Sequence, residues 1–182
     1  KEPLTIVDDS MKKISAFPLS HRIPTYGFII KEKPGKRVFL VEKPGADFFN
    51  FEVIKKLKEG ENVELPDGNT IYFLDYTAEP LPTKTYVYCS DTIYERAVIP
   101  YILHADLLYH EATYADDFKQ KAKENFHSTA REAAQIALDA KVKRLMIGHF
   151  SSRYKSLDIL LKEAKTVFEN TFLALEGEWI KV

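Results

Sequence analysis

Three short runs rich in β-branched and aromatic residues, LTIVD, KKISAFPLS and TYGFIIKE, open the chain, and each predicts a strand. From Lys31 to about Pro66 the pattern changes. This stretch holds three of the nine prolines, and NFEVIKKLKEG within it predicts a short helix stopped by Gly60. PDGN at 66–69 predicts a hairpin turn with Gly68 at positive φ, and TIYFLDYTAE predicts a strand after it. From Lys84 onward strands and helices alternate. TYVYCSD predicts a buried strand ending at Asp91, and YERAVIPYIL a helix kinked or ended by Pro100.

ADLLYHEAT then predicts a strand and ADDFKQKAKENF a helix. Thr129 and Glu132 form a capping box at the start of TAREAAQIALDAK, where Ala130, Ala133, Ala134 and Ala137 make a narrow apolar face. KRLMIGH is the next strand. Leu157, Leu160, Leu161, Ala164, Val167 and Phe168 fall on one stripe of the helix SLDILLKEAKTVF, and FLALEGEWIKV closes the chain as a strand. This order implies an α/β class with a mostly parallel sheet and helices packed on it. Such sheets bind ligands beyond the carboxyl ends of their strands. Three strands here end in Asp91, in His110-Glu111 and in His149.

Composition narrows the chemistry. The 182 residues suffice for one domain with a sizeable core or for part of a larger one. A formal net charge of -1 makes the whole molecule a poor polyanion binder, so a nucleic-acid surface has to be a local patch. Residues 31–60 supply one, with eight Lys/Arg against five Asp/Glu. The single cysteine, Cys89, rules out an internal disulfide and a thiolate-built zinc cage, and favours a reducing compartment. No apolar run approaches bilayer-spanning length, and KEPLTIVDDS has no hydrophobic core of a signal peptide.

Taken singly, each polar candidate has an ordinary structural role. His149 suits a hydrogen-bonded scaffold residue, Asp91 a turn or helix N-cap, His127 a residue before a capping box, Glu111 a strand-end carboxylate, and His21 a loop residue. Together, imidazoles plus a carboxylate suit a hard-to-borderline divalent cation, zinc or manganese.

YVYCSDT, ADLLYHEATY, FHSTAREAA and LMIGHFSSRY, in this order and spacing, resemble the later motifs of ribonuclease Z, the tRNA 3′-processing endoribonuclease of the metallo-β-lactamase superfamily. AFPLSHRIPTYGFII resembles the segment around that family's third histidine motif. The resemblance implies the C-terminal portion of a four-layer αββα metallo-β-lactamase domain over 1–182, with an exosite-like arm at about 34–60. It implies two zinc ions per intact subunit, His21 as a ligand of one, His149 of the other, and Asp91 bridging both. His127 corresponds to the catalytic histidine, with Glu111 orienting it. Lys55, Lys56 and Lys58 are expected to meet the tRNA backbone, although they equally suit a solvated helix face. The expected reaction removes 3′ trailers from precursor tRNA by attack of a metal-bridged hydroxide on the phosphodiester.

The chain departs from the family pattern in two places. Its arm is short and lacks a clear copy of the Gly-Pro-rich tip. No two of its five histidines are separated by one residue, so the family's His-x-His-x-Asp-His motif has no counterpart. The expectation is therefore a C-terminal piece of a longer enzyme, inactive alone, cytoplasmic, with no membrane association, and homodimeric to cover an exposed sheet face. Two rival readings are a non-catalytic tRNA- or protein-binding module and a different hydrolase of the same superfamily.

Overall fold

The computed structural model describes residues 2–182. Strands β1 (Leu4–Asp8), β2 (Lys12–Leu19) and β3 (Thr25–Glu32) come first. The chain then enters a separate compact unit, Lys33–Thr83. That unit contains β4 (Val38–Phe39), α1 (Phe51–Lys58), β5 (Val63–Glu64), β6 (Thr70–Ile71), α2 (Phe73–Tyr76) and β7 (Thr77–Ala78). The first unit resumes with β8 (Thr85–Cys89), α3 (Ile99–Ile102), β9 (Leu107–Glu111) and α4 (Lys119–Glu124). It ends with α5 (Ala130–Asp139), β10 (Leu145–Gly148), α6 (Asp158–Lys165) and β11 (Thr171–Leu173).

In the first unit the strands form one sheet in the order β1-β2-β3-β8-β9-β10-β11. The pairings β1–β2, β2–β3 and β3–β8 are antiparallel, whereas β8–β9, β9–β10 and β10–β11 are parallel. The sheet is therefore mixed rather than mostly parallel, because the short turns joining β1 to β2 and β2 to β3 can link only antiparallel neighbours. Two reversals, from β2 to β3 and from β3 to β8, leave β2 running in the same direction as β8, β9 and β10. With β11, which is parallel to β10, five strands thus deliver their carboxyl ends to one edge.

Helix α5 lies on β9 and β10, and α6 packs on α5 and β11. The alanine face expected from the sequence is fully buried: Ala130, Ala133, Ala134 and Ala137 meet a core that includes Val87, Leu108, Leu145, Ile147 and Leu160. Small side chains on this face let the helix approach the sheet closely. The capping box is present, with the Thr129 side chain accepting from the Glu132 N–H. Strand alternation turns Tyr86, Tyr88, Tyr109 and Met146 to the opposite face, where Tyr88 and Tyr109 stack with ring centroids 4.6 Å apart.

Other expectations are revised. TIYFLDYTAE does not run as one strand, because a helical turn interrupts it at Phe73–Tyr76. The Phe73 N–H donates to Asn62 Oδ1 at 3.1 Å, and Thr77 Oγ1 donates to the Phe73 carbonyl at 2.7 Å. These side-chain partners satisfy the turn and override its β propensity. Pro100 opens α3 instead of ending a helix, since its missing N–H is no loss in a first turn. The closing strand stops at Leu173. Ala174 still donates to the Ile147 carbonyl at 2.8 Å, but β10 ends one residue later and offers nothing further to pair with.

Within the second unit, α1 forms as its sequence predicts. Asn50 caps it by accepting from the Val53 N–H at 3.0 Å, and Gly60 follows at φ 83°. Leu57 is its buried residue, while Lys55 and Lys56 are exposed and Lys58 is half-buried. The PDGN hairpin joins β5 to β6 with Gly68 at φ 84°.

A close approach in the sheet gives a test. Gly27 faces Phe17 across β2–β3, and a Cβ built on it would overlap the Phe17 ring. That ring is fully buried and stacked on Tyr101 at 4.9 Å, so it has nowhere to go. Gly27→Ala is expected to lower stability by about 1–3 kcal/mol in urea unfolding; an unchanged midpoint would mean that the ring repacks freely.

Candidate active site

Four of the carboxyl ends at the common edge each supply one polar group. His21 follows β2, Asp91 follows β8, Glu111 ends β9 and His149 follows β10. His127 comes from the loop between α4 and α5. All five sequence-predicted groups converge. Ligand-capable atoms of His21, Asp91 and His127 lie within 4.8 Å of one another, as do those of Glu111, His127 and His149. Lys55, Lys56 and Lys58 share helix α1 of the other unit.

Glu111 is the anchor. Its side chain is fully buried, and each oxygen takes two donors. Oε1 accepts from the Thr92 N–H at 2.9 Å and from His127 Nδ1 at 2.7 Å. Oε2 accepts from the Thr113 N–H at 3.1 Å and the Thr113 hydroxyl at 2.7 Å. Burial alone would raise the pKa of this carboxyl, but His127, Thr113 and Thr92 outweigh it and hold the group below the usual range. The same contact raises the pKa of His127, with the Glu111 hydrogen bond the leading cause.

Hydrogen-bond bookkeeping fixes two more rings. The Thr113 hydroxyl gives its only proton to Glu111, so at 2.9 Å from His149 Nδ1 it must accept. His149 therefore carries a proton on Nδ1, and in the neutral ring Nε2 keeps its lone pair. His21 Nδ1 lies 2.8 Å from the Phe126 carbonyl, which can only accept, so Nδ1 carries the proton and the lone pair of the neutral ring is on Nε2. His149 Nε2 faces Asp91 Oδ1 at 3.4 Å. A lone pair and a carboxylate pointed at each other repel unless a proton or cation lies between them. Imidazole nitrogens whose other ring nitrogens are already engaged, together with a carboxylate, are donors that suit divalent cations.

His149 and Phe126 both adopt positive φ, 59° and 58°, a conformation uncommon for residues with a Cβ. At Phe126 it directs the carbonyl to His21. His110, by contrast, is not part of the site. Alternation sends it into the core, its Nδ1 donates to the Glu111 carbonyl at 2.7 Å, and burial lowers its pKa.

The sequence did not single out Thr92, Thr113 or the Phe126 carbonyl. Thr92 also takes the Ser128 hydroxyl on its carbonyl at 2.8 Å, tying the loop of His127 to the end of β8. The signal for Thr113 was its place two residues beyond a strand-end glutamate. Nothing in the sequence marks a backbone carbonyl.

No protein-family model matches the chain. Among solved structures, the metallo-β-lactamase fold protein YhfI from Bacillus subtilis covers 98% of this chain and 53% of its own, with TM-score 0.62 and 22% identity. The short form of human tRNase Z covers 93% and 43%, with TM-score 0.53 and 24% identity. One sheet with one helical layer is half of a four-layer αββα sandwich, and the fold is that of the metallo-β-lactamase proteins. Ribonuclease Z of Bacteroides thetaiotaomicron is 42% identical over 184 residues, 100% of this chain and 58% of its own length. Ribonuclease Z of Porphyromonas gingivalis is 43% identical over 171 residues, 93% of this chain and 56% of its own. The chain is a homologue of ribonuclease Z along its length, and it spans little more than half of those relatives.

The Glu111–His127 pair sets a pH signature. A carboxyl lowered from 4.5 adds stability above that value and loses it as pH falls through the folded pKa; an imidazole raised from 6.5 adds stability below that value and loses it as pH rises through the folded pKa. Glu111→Gln is expected to lower stability by about 3–5 kcal/mol. The gap from wild type should be widest between pH 4.5 and 6.5 in urea unfolding across a pH series. A gap independent of pH would contradict the assignment.

Proposed function

We propose that this chain supplies the acid–base pair and three metal ligands of a zinc-dependent endoribonuclease that removes 3′ trailers from precursor tRNA. The observation that carries the reading is the grouping of His21 and Asp91 with His127, and of His149 Nε2 with Asp91 at 3.4 Å, beside an imidazole anchored by a buried carboxylate. His21 and His149 would each hold one cation, and Asp91, lying against both, would bridge them. The nitrogen-rich set favours zinc. When bound, the ions supply Lewis acidity that activates water and offsets charge developing on the phosphate.

The chain's own residues do the rest. Glu111 holds His127 by Nδ1, so Nε2–H is turned toward the departing 3′-oxygen and gives it a proton. Glu111 stays ionised and balances the imidazolium before the transfer. The products are a tRNA with a 3′-hydroxyl and a trailer with a 5′-phosphate. Lys55, Lys56 and Lys58, on the exosite-like arm, would meet the phosphate backbone of the tRNA. The reading includes a reducing, cytoplasmic setting, which suits the buried thiol of Cys89. For the chain taken alone it also includes homodimerisation through the half-buried aromatic face of the sheet.

Three ligands divided between two cations fall short of the four donors that each zinc ordinarily takes. This chain alone is therefore expected to cleave no precursor tRNA and to retain well under one zinc per chain by elemental analysis. In a longer polypeptide that also carries the paired-histidine motif, His127→Ala should slow cleavage by about 10²–10⁴-fold. Zinc-dependent cleavage by the chain itself, or an unaffected His127→Ala enzyme, would overturn the reading. Replacing Lys55, Lys56 or Lys58 by Ala should weaken tRNA binding and reduce its salt slope by about 1 per lysine in filter binding; unchanged slopes would remove these lysines from the interface.

A further inference from the structure

A cleft of about 610 Å³ opens beside His127. Its volume is within the range of small-molecule sites, roughly 300–1,000 Å³. One wall is cationic. Lys119 and Lys123 stand one turn apart on α4, with Gln120 between them, and α4 is fixed from below by the fully buried Ala122. The other wall is apolar and held in place. Ile93 donates its N–H to the Ser20 carbonyl at 2.9 Å, and Tyr94 packs against the hydrophobic core.

Glu132, the only carboxylate lining the cleft among the described residues, is already engaged. Oε2 accepts the Thr129 N–H of the capping box at 3.0 Å, and Oε1 lies 3.4 Å from the Lys119 ammonium. Lys123 has no ion pair among the described residues. The cleft thus combines a surplus of positive charge with an aromatic platform. An inorganic anion would leave the Tyr94 and Ile93 wall unused, and an apolar ligand would leave Lys119 and Lys123 without a partner. A nucleotide uses both.

We propose that this cleft binds the single nucleotide whose 3′-oxygen departs, with its base on Tyr94 and Ile93 and its 5′-phosphate between Lys119 and Lys123. The assignment of that nucleotide rests on the function proposed above, because His127 at the cleft's end is the group placed against the leaving oxygen. Adenosine 5′-monophosphate, which carries a 5′-phosphate and a free 3′-hydroxyl, mimics the end of the released tRNA. Binding it needs no metal, so the chain can be tested as it stands.

Titration of the isotopically labelled chain with adenosine 5′-monophosphate, followed by NMR, should saturate at millimolar concentration. The shifted resonances should be those of Tyr94, Gln120, Lys123 and His127. Lys123→Glu, at an exposed position, should weaken binding about tenfold or more, and Tyr94→Leu about tenfold, with the remaining spectrum unchanged. Inorganic phosphate should bind at least about tenfold more weakly than the nucleotide. Shifts clustered elsewhere, no saturation, phosphate binding as tight as the nucleotide, or indifference to Lys123→Glu would each overturn the subsite. The two proposals fail separately. Nucleotide binding in the cleft alongside an unaffected His127→Ala longer enzyme removes the cleavage reading only. His127-dependent cleavage with no nucleotide in the cleft removes the subsite only.

Discussion

A fully buried glutamate that accepts four hydrogen bonds organises this site. Burying a carboxylate costs several kcal/mol unless its lone pairs are met, and Glu111 meets all of them from three segments. Thr92 belongs to the turn after β8, Thr113 to the chain leaving β9, and His127 to the loop before α5. Ionisation of Glu111 also fixes the direction of the Thr113 proton, and through it the proton on His149. One buried charge therefore determines the state of two imidazoles on different elements.

The sheet makes that convergence possible. Parallel strands β8, β9 and β10 end at one edge, and two antiparallel reversals bring the end of β2 to the same place. Residues separated by more than a hundred positions, such as His21 and His149, are thereby brought to the same edge. The alanine face of α5 matters for the same reason. Its packing on β9 and β10 anchors the helix that the His127 loop leads into.

Much of this was legible in the sequence where local chemistry decides the outcome. The capping box at Thr129, the stop at Gly60, the hairpin at Gly68 and the first three strands follow from short-range rules. Misreadings arose where a partner distant in sequence decides. Asn62 and Thr77 turned an apparent strand at Phe73–Tyr76 into a helical turn, and the shortness of β10 ended the closing strand at Leu173. The five polar groups were legible as a set through their resemblance to a family. Their protonation states were not, because they depend on Thr113, Thr92 and the Phe126 carbonyl, which reach them only in the folded chain.

In the neutral rings, His21 and His149 carry Nδ1–H and keep the lone pair on Nε2, while His127 directs its Nδ1 proton to Glu111. Long-range ¹H–¹⁵N correlation spectra of the histidine side chains, recorded on metal-free protein at mildly alkaline pH, report these tautomers directly. The account predicts Nδ1–H forms for His21 and His149, and a strongly deshielded Nδ1 proton on His127 that disappears in Glu111→Gln. Nε2–H tautomers at His21 or His149 would contradict it, since those rings would then have no lone pair to offer a cation beside Asp91.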